Sequence, residues 1–124
     1  MVNAVVTDAI PPGAAIRIGV PSDRPSEALQ VLKTHFAKRP AVQKAQLGLM
    51  QIVDANGNGP FRFTIGIHCF NPADREAEER LAINEVLKVA LGRWPIAFFP
   101  PNGMYFTQQA EVFYEHSGDD RTRI

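Results

Sequence analysis

The sequence predicts an α+β domain of βαββαβ type: a ferredoxin-like, antiparallel four-stranded sheet in the order 4-1-3-2, with two helices on one face and an aromatic C-terminal tail. Three observations carry this expectation. Four segments alternate apolar and polar residues with a period of two, as half-buried strands do. Two others repeat apolar residues at helical spacing. Their order along the chain is strand, helix, strand, strand, helix, strand, and right-handed crossovers then place the first strand beside the third.

Residues 1–13 read as a flexible leader ending in the turn signal Pro11-Pro12-Gly13. Ile16, Ile18 and Val20 alternate with Arg17 and Gly19 in a short strand that Pro21 stops. Ser22 and Asp23 suit a helix N-cap, and Pro25 suits a first turn, where its missing N–H costs nothing. Leu29, Leu32 and Phe36 then form one apolar stripe, and the helix should end near Lys38, since Pro40 drives Arg39 from helical angles.

Ala45, Leu47 and Leu49 open a strand that continues to Val53. Phe61, Phe63, Ile65, Ile67 and Cys69 form the cleanest alternation in the chain. The Asp54-to-Pro60 stretch between them, with Asn56-Gly57, reads as a hairpin connection. Asn71 and Pro72 are a cap and first helical residue, and a second helix should span 72–91, with Gly92 as its stop. Ile83, Val86, Leu87 and Ala90 make its buried stripe, while Glu76, Glu78, Glu79 and Arg80 read as a solvated face. Ile96 and Phe98 form a short strand whose flanking prolines suggest a sheet edge. A short helix is expected around residues 108–114, and 117–124 read as a frayed end, so one domain occupies 14–116.

The composition narrows the function. With 45% apolar residues the chain is globular, and its 124 residues hold one core. Thirteen basic residues balance 13 acidic ones, which argues against a nucleic-acid or anionic-membrane binder. No apolar run reaches the roughly 20 residues that span a bilayer, and the N-terminus lacks the basic start of a signal peptide. One cysteine makes no internal disulfide, which suits the cytoplasm.

Side-chain parity separates two faces. Ile16, Ile18, Val20, Ala45, Leu47, Leu49, Phe63, Ile65, Ile67, Ile96 and Phe98 should lie under the helices. The opposite face should carry Arg17, Gly19, Gln46, Gly48, Met50, Arg62, Thr64, Gly66, His68 and Phe99. Three glycines on one face suggest close approach by another group. The chain's own aromatic tail, Tyr105 to Tyr114, is the first candidate, a second copy of the protein the next, and a small ligand the third.

No reactive constellation emerges. Asp54, Asn56, Asn58 and Gly59 match half of a calcium loop, but Ile65 stands where the bidentate Glu belongs. His68 and Cys69 are adjacent on a strand and so point to opposite faces, with Cys69 read as a buried small hydrophobe. His35 and His116 lack metal-ligand spacing, and no glycine-rich phosphate loop or nucleophile elbow is present. The central sheet positions lack the stacking aromatics of an RNA-binding sheet. Neither cofactor nor metal is expected.

The run Ile18-Gly19-Val20-Pro21-Ser22-Asp23-Arg24-Pro25-Ser26-Glu27-Ala28-Leu29 resembles the C-terminal domain of the enhanced serine sensitivity protein (SseB) family. So do Leu32-Lys33, Phe36-Ala37, Val42 to Leu47, the Phe63-to-Ile67 strand, the Pro95-to-Pro100 strand and the closing Val112-Phe113-Tyr114-Glu115, where Val replaces the family's Pro. The resemblance covers about residues 14–116 and is specific only in combination. It implies a bacterial cytoplasmic protein linked by name to serine tolerance, and it carries no catalytic residues. The expected function is a non-catalytic interaction module that binds itself, as a homodimer, or another protein, and neither nucleic acid nor membrane. An amino-acid-sensing regulatory domain is the second reading, and an enzyme using His68 the third.

Overall fold

The computed structural model describes residues 4–6, 15–89 and 94–116. Its sheet contains β1 (Ala4–Val6), β2 (Ala15–Gly19), β3 (Val42–Val53), β4 (Phe61–Cys69), β5 (Ile96–Phe98) and β6 (Glu111–Glu115). Two helices, α1 (Ser26–Phe36) and α2 (Arg75–Val86), accompany it, the second entered through a 3-10 turn at Pro72–Asp74.

The sheet is mixed, with the order β1-β5-β4-β3-β2 and β6 also on β3, so the antiparallel 4-1-3-2 arrangement is overturned. β2 lies antiparallel to β3 rather than beside β4, pairing Ala15 with Val53 through Gly19 with Leu49. That register uses only the far half of β3. Helix α1 carries the chain back to the start of β3. Its 11 residues are about 16 Å long. The helix therefore joins sheet neighbours instead of skipping a strand. The vacant half of the same β3 edge is taken by β6, with Lys44 opposite Glu115 and Leu47 opposite Glu111. β5 pairs with β4 in parallel, Phe63 facing Ile96, through the α2 crossover.

Other expectations shift for local reasons. Ala4–Val6, within the stretch read as a leader, pairs in parallel with β5. β5 is consequently an interior strand despite its flanking prolines. Residues 111–115 are a strand, not part of a helix, because the free β3 edge supplies hydrogen-bond partners. Pro25 occupies the α1 N-cap without a side-chain cap bond, so neither Ser22 nor Asp23 serves there. Asn71 does cap as expected, its Oδ1 accepting from Ala73 N at 3.1 Å. α2 ends at Val86, leaving Leu87 half exposed, while Ala90 and Gly92 fall outside the described residues.

The helix-covered back face holds the main core. Leu29, Leu32 and Phe36 of α1 and Ala82 and Val86 of α2 pack on Ala45, Leu47, Phe63, Ile65, Ile67, Ile96 and Phe98. Phe36 reaches β6, with ring centroids 5.6 Å from Tyr114 and 6.4 Å from Phe113. The acidic start of α2 is not wholly solvated. Glu78 and Glu79 are buried, each held by an arginine. Arg39 donates to both Glu78 carboxylate oxygens at 3.0 Å, and Arg75 donates to Glu79 at 2.6 Å. A bidentate guanidinium supplies two of the hydrogen bonds that a buried carboxylate requires.

Candidate interaction site

The front face is built by β3 and β4 in register. Gln46 faces Gly66, Gly48 faces Thr64, Met50 faces Arg62 and Lys44 faces His68. Gln46, Gly48, Met50, Arg62, Thr64, Gly66, His68 and Phe99 thus share this face. Two expected members do not. Arg17 pairs with Gln51 and Gly19 with Leu49, which sets both on the back-face parity. Ile16 and Ile18 exchange with them, packing on the front with Met50, Ala97, Phe99 and Phe106. Val20 follows β2 and is half exposed.

The chain's own tail covers the front. The Phe106 ring lies on the floor formed by Gly48 and Gly66. A Cβ at Gly48 would stand 2.9 Å from Phe106 Cδ1, and one at Gly66 would stand 2.8 Å from Phe106 Cε2. Only glycine lets the ring approach the strands so closely. Tyr105 stacks on Phe99 with centroids 5.0 Å apart. The segment is pinned where Asn102 Oδ1 accepts from Met104 N at 2.8 Å, and where Arg24 Nε donates to Glu111 Oε1 at 2.8 Å. Beneath this cover, Thr64 Oγ1 and Arg62 Nε are buried and have no hydrogen-bond partner among the described residues. Burial lowers the Arg62 pKa.

His68 and Cys69 take different environments. The His68 Nε2–H donates to Gln46 Oε1 at 3.2 Å on the front. Burial, with Lys44 nearby, pushes its pKa down. Cys69 is half buried against the back-face core. Burial and the carboxylates Glu78, Asp74 and Glu79 push its thiol up to about 11, so it is protonated at neutral pH. Both residues nonetheless line one cleft of about 180 Å³ at the end of β4, together with Gln43, Pro72, Arg75 and Pro101. Asp54 closes the hairpin with its own side chain. Its Oδ1 accepts from Asn56 N at 2.8 Å and Asn58 N at 3.0 Å, while Gly57 takes φ 82°.

A surface that side-chain parity does not announce lies on the back-face side of β2. Arg17, Ile18, Gly19, Leu49, Gln51 and Phe61 line a trough of about 310 Å³ beside β2. Phe61 is its apolar wall, backed by Trp94 at a centroid distance of 5.4 Å. Among the described residues β2 pairs on one side only, and no described strand meets its outer N–H and C=O groups. The five-residue run Ala15–Gly19 carries a single charge, Arg17, and is poorly guarded against pairing.

The architecture is that of a small α+β domain whose sheet is sealed by helices behind and by its own tail in front. A family model described as the SseB protein C-terminal domain matches residues 10–116, and the chain belongs to that family. Comparison with curated proteins returns no match, and comparison with solved structures returns none either. Among the described residues, no helix is long and apolar enough to cross a membrane.

Proposed function

We propose that this SseB-family domain is a non-catalytic protein-interaction module that assembles with itself. The observation that carries the reading is the outer β2 edge, unpaired among the described residues, beside the Phe61 trough. An open strand edge next to apolar surface is a recurrent mode of protein recognition. The front face, being occupied by Phe106 and Tyr105, contributes stability rather than contact. The protonated Cys69 thiol, and the Gln46 bond that occupies His68, favour a non-catalytic role. Static light scattering over a concentration series tests the reading. A mass that rises toward twice the monomer supports it, and a strict monomer that captures no partner contradicts it.

A second reading, an amino-acid-sensing regulatory domain, draws on the Cys69 cleft. That cleft lies at the carboxyl ends of parallel strands β4 and β5, where α2 begins, and open α/β sheets bind ligands at such ends. Its volume of about 180 Å³ falls below the roughly 300–1,000 Å³ of ordinary ligand pockets, which ranks this reading second. Thermal-shift measurements with free amino acids decide it. A shift that saturates supports sensing, and none at high ligand concentration dismisses it.

A further inference from the structure

We infer that two copies of this chain join edge to edge through β2, antiparallel about a two-fold axis centred on Ile18, which makes one continuous sheet across the pair. The inference rests on the self-association reading and deepens it by naming the partner and the register.

The residues around Ile18 are self-complementary in this arrangement. Pairing Ile18 with its own copy places Arg17 opposite the partner's Gly19, and Gly19 opposite the partner's Arg17. Both pairs lie on the trough side, because Arg17 and Gly19 share the back-face parity. Space exists for the long side chain, since a Cβ on Gly19 would meet nothing within 4 Å. An incoming guanidinium therefore enters beside Leu49 and the exposed Phe61 ring, which offers it an aromatic face. On the front, Ile18 meets its copy and Ile16 meets the half-exposed Val20, giving apolar cross-strand pairs. Centring the axis on Arg17 would instead oppose two like charges, which disfavours that register. The Arg17 side chain makes no ion pair or hydrogen bond among the described residues. Equal numbers of acidic and basic residues remove net repulsion between copies.

Gly19 is the position that tests the register without disturbing the fold, because its φ is not positive and its surroundings are open. Sedimentation equilibrium is compared for the wild type, Gly19→Glu and Gly19→Lys, with circular dichroism and melting confirming that all three fold alike. A glutamate faces the partner's Arg17 twice per dimer and should tighten association about threefold to tenfold, while the lysine should weaken it by a similar factor. A wild type that dimerises with both variants unchanged, or with either moving the opposite way, overturns this pairing and leaves self-association through another surface. A wild type that stays monomeric overturns the self-association reading and the pairing with it.

Discussion

The two faces of the sheet are covered by different means. Behind, two helices stand off the strands, and branched and aromatic side chains such as Leu47, Ile65 and Phe98 fill the gap. In front, an irregular segment lies close against the sheet, and a single ring, Phe106, rests on glycines. Helices need bulky strand residues beneath them, whereas a flat aromatic on a coil needs a floor with no side chains. The difference explains why this chain spends glycines in the middle of its two longest strands, although glycine weakens a strand interior.

The largest expected effect comes from removing the front cover. Phe106→Ala should cost about 3–5 kcal/mol in urea unfolding, because Phe106 is only 4% exposed and leaves a cavity over two glycines. A loss below about 1 kcal/mol would mean that the segment contributes little and that the front face is effectively open.

On the back, Arg39→Ala strands the buried Glu78 carboxylate. Breaking a fully buried pair costs about 3–5 kcal/mol, but Arg39 is 37% exposed, so about 2–3 kcal/mol is expected. The Glu78→Gln variant in the same background should recover part of that loss, since it removes the stranded charge.

Gly66→Ala sharpens the comparison from the floor. Its methyl group would stand 2.8 Å from the Phe106 ring and 3.1 Å from Pro101 Cβ, so the cover must lift. The overpacking should cost about 1–3 kcal/mol. In Phe106→Ala the same change should cost less, since only the 3.1 Å approach to Pro101 remains, and a double-mutant cycle measures that coupling.

The smallest effect is on pH. Burial pushes His35 and His68 below the ordinary histidine value of 6.5. The unfolded chain then binds more protons than the folded one just below pH 6.5, so stability should fall as pH drops through that window and be fully present above it. Replacing both histidines with Gln should flatten the slope there, as read by denaturant midpoints across pH.

Much of the molecule was legible in the sequence, and the gaps have physical causes. The long alternation from Phe61 to Cys69 set its faces, since nine residues of period two leave one consistent choice. The five-residue β2 did not, because isoleucines at 16 and 18 show which residues share a face but not which face meets the helices. That ambiguity placed Arg17 and Gly19 in front, although they border the trough behind. Side-chain parity is also silent on strand neighbours, so the parallel β4–β5 pair and the shared β3 edge were not visible. The burial of Glu78 depends on Arg39, 39 residues earlier, and no local pattern in α2 announces it. The tail was the first of three candidates for covering a face read as carrying Gly19, Gly48 and Gly66. Phe106 does lie on Gly48 and Gly66, but Gly19 is not on that face, and the tail's final strand depended on an edge that only the topology leaves free.

Hydrogen–deuterium exchange at low and high protein concentration tests most directly whether contact occurs at the β2 edge and not on the front face. Amides within 15–20 should gain protection as concentration rises, while those of 46–50 and 64–68 beneath Phe106 stay unchanged. Concentration-dependent protection on the glycine floor, with β2 exchanging freely at every concentration, would contradict it.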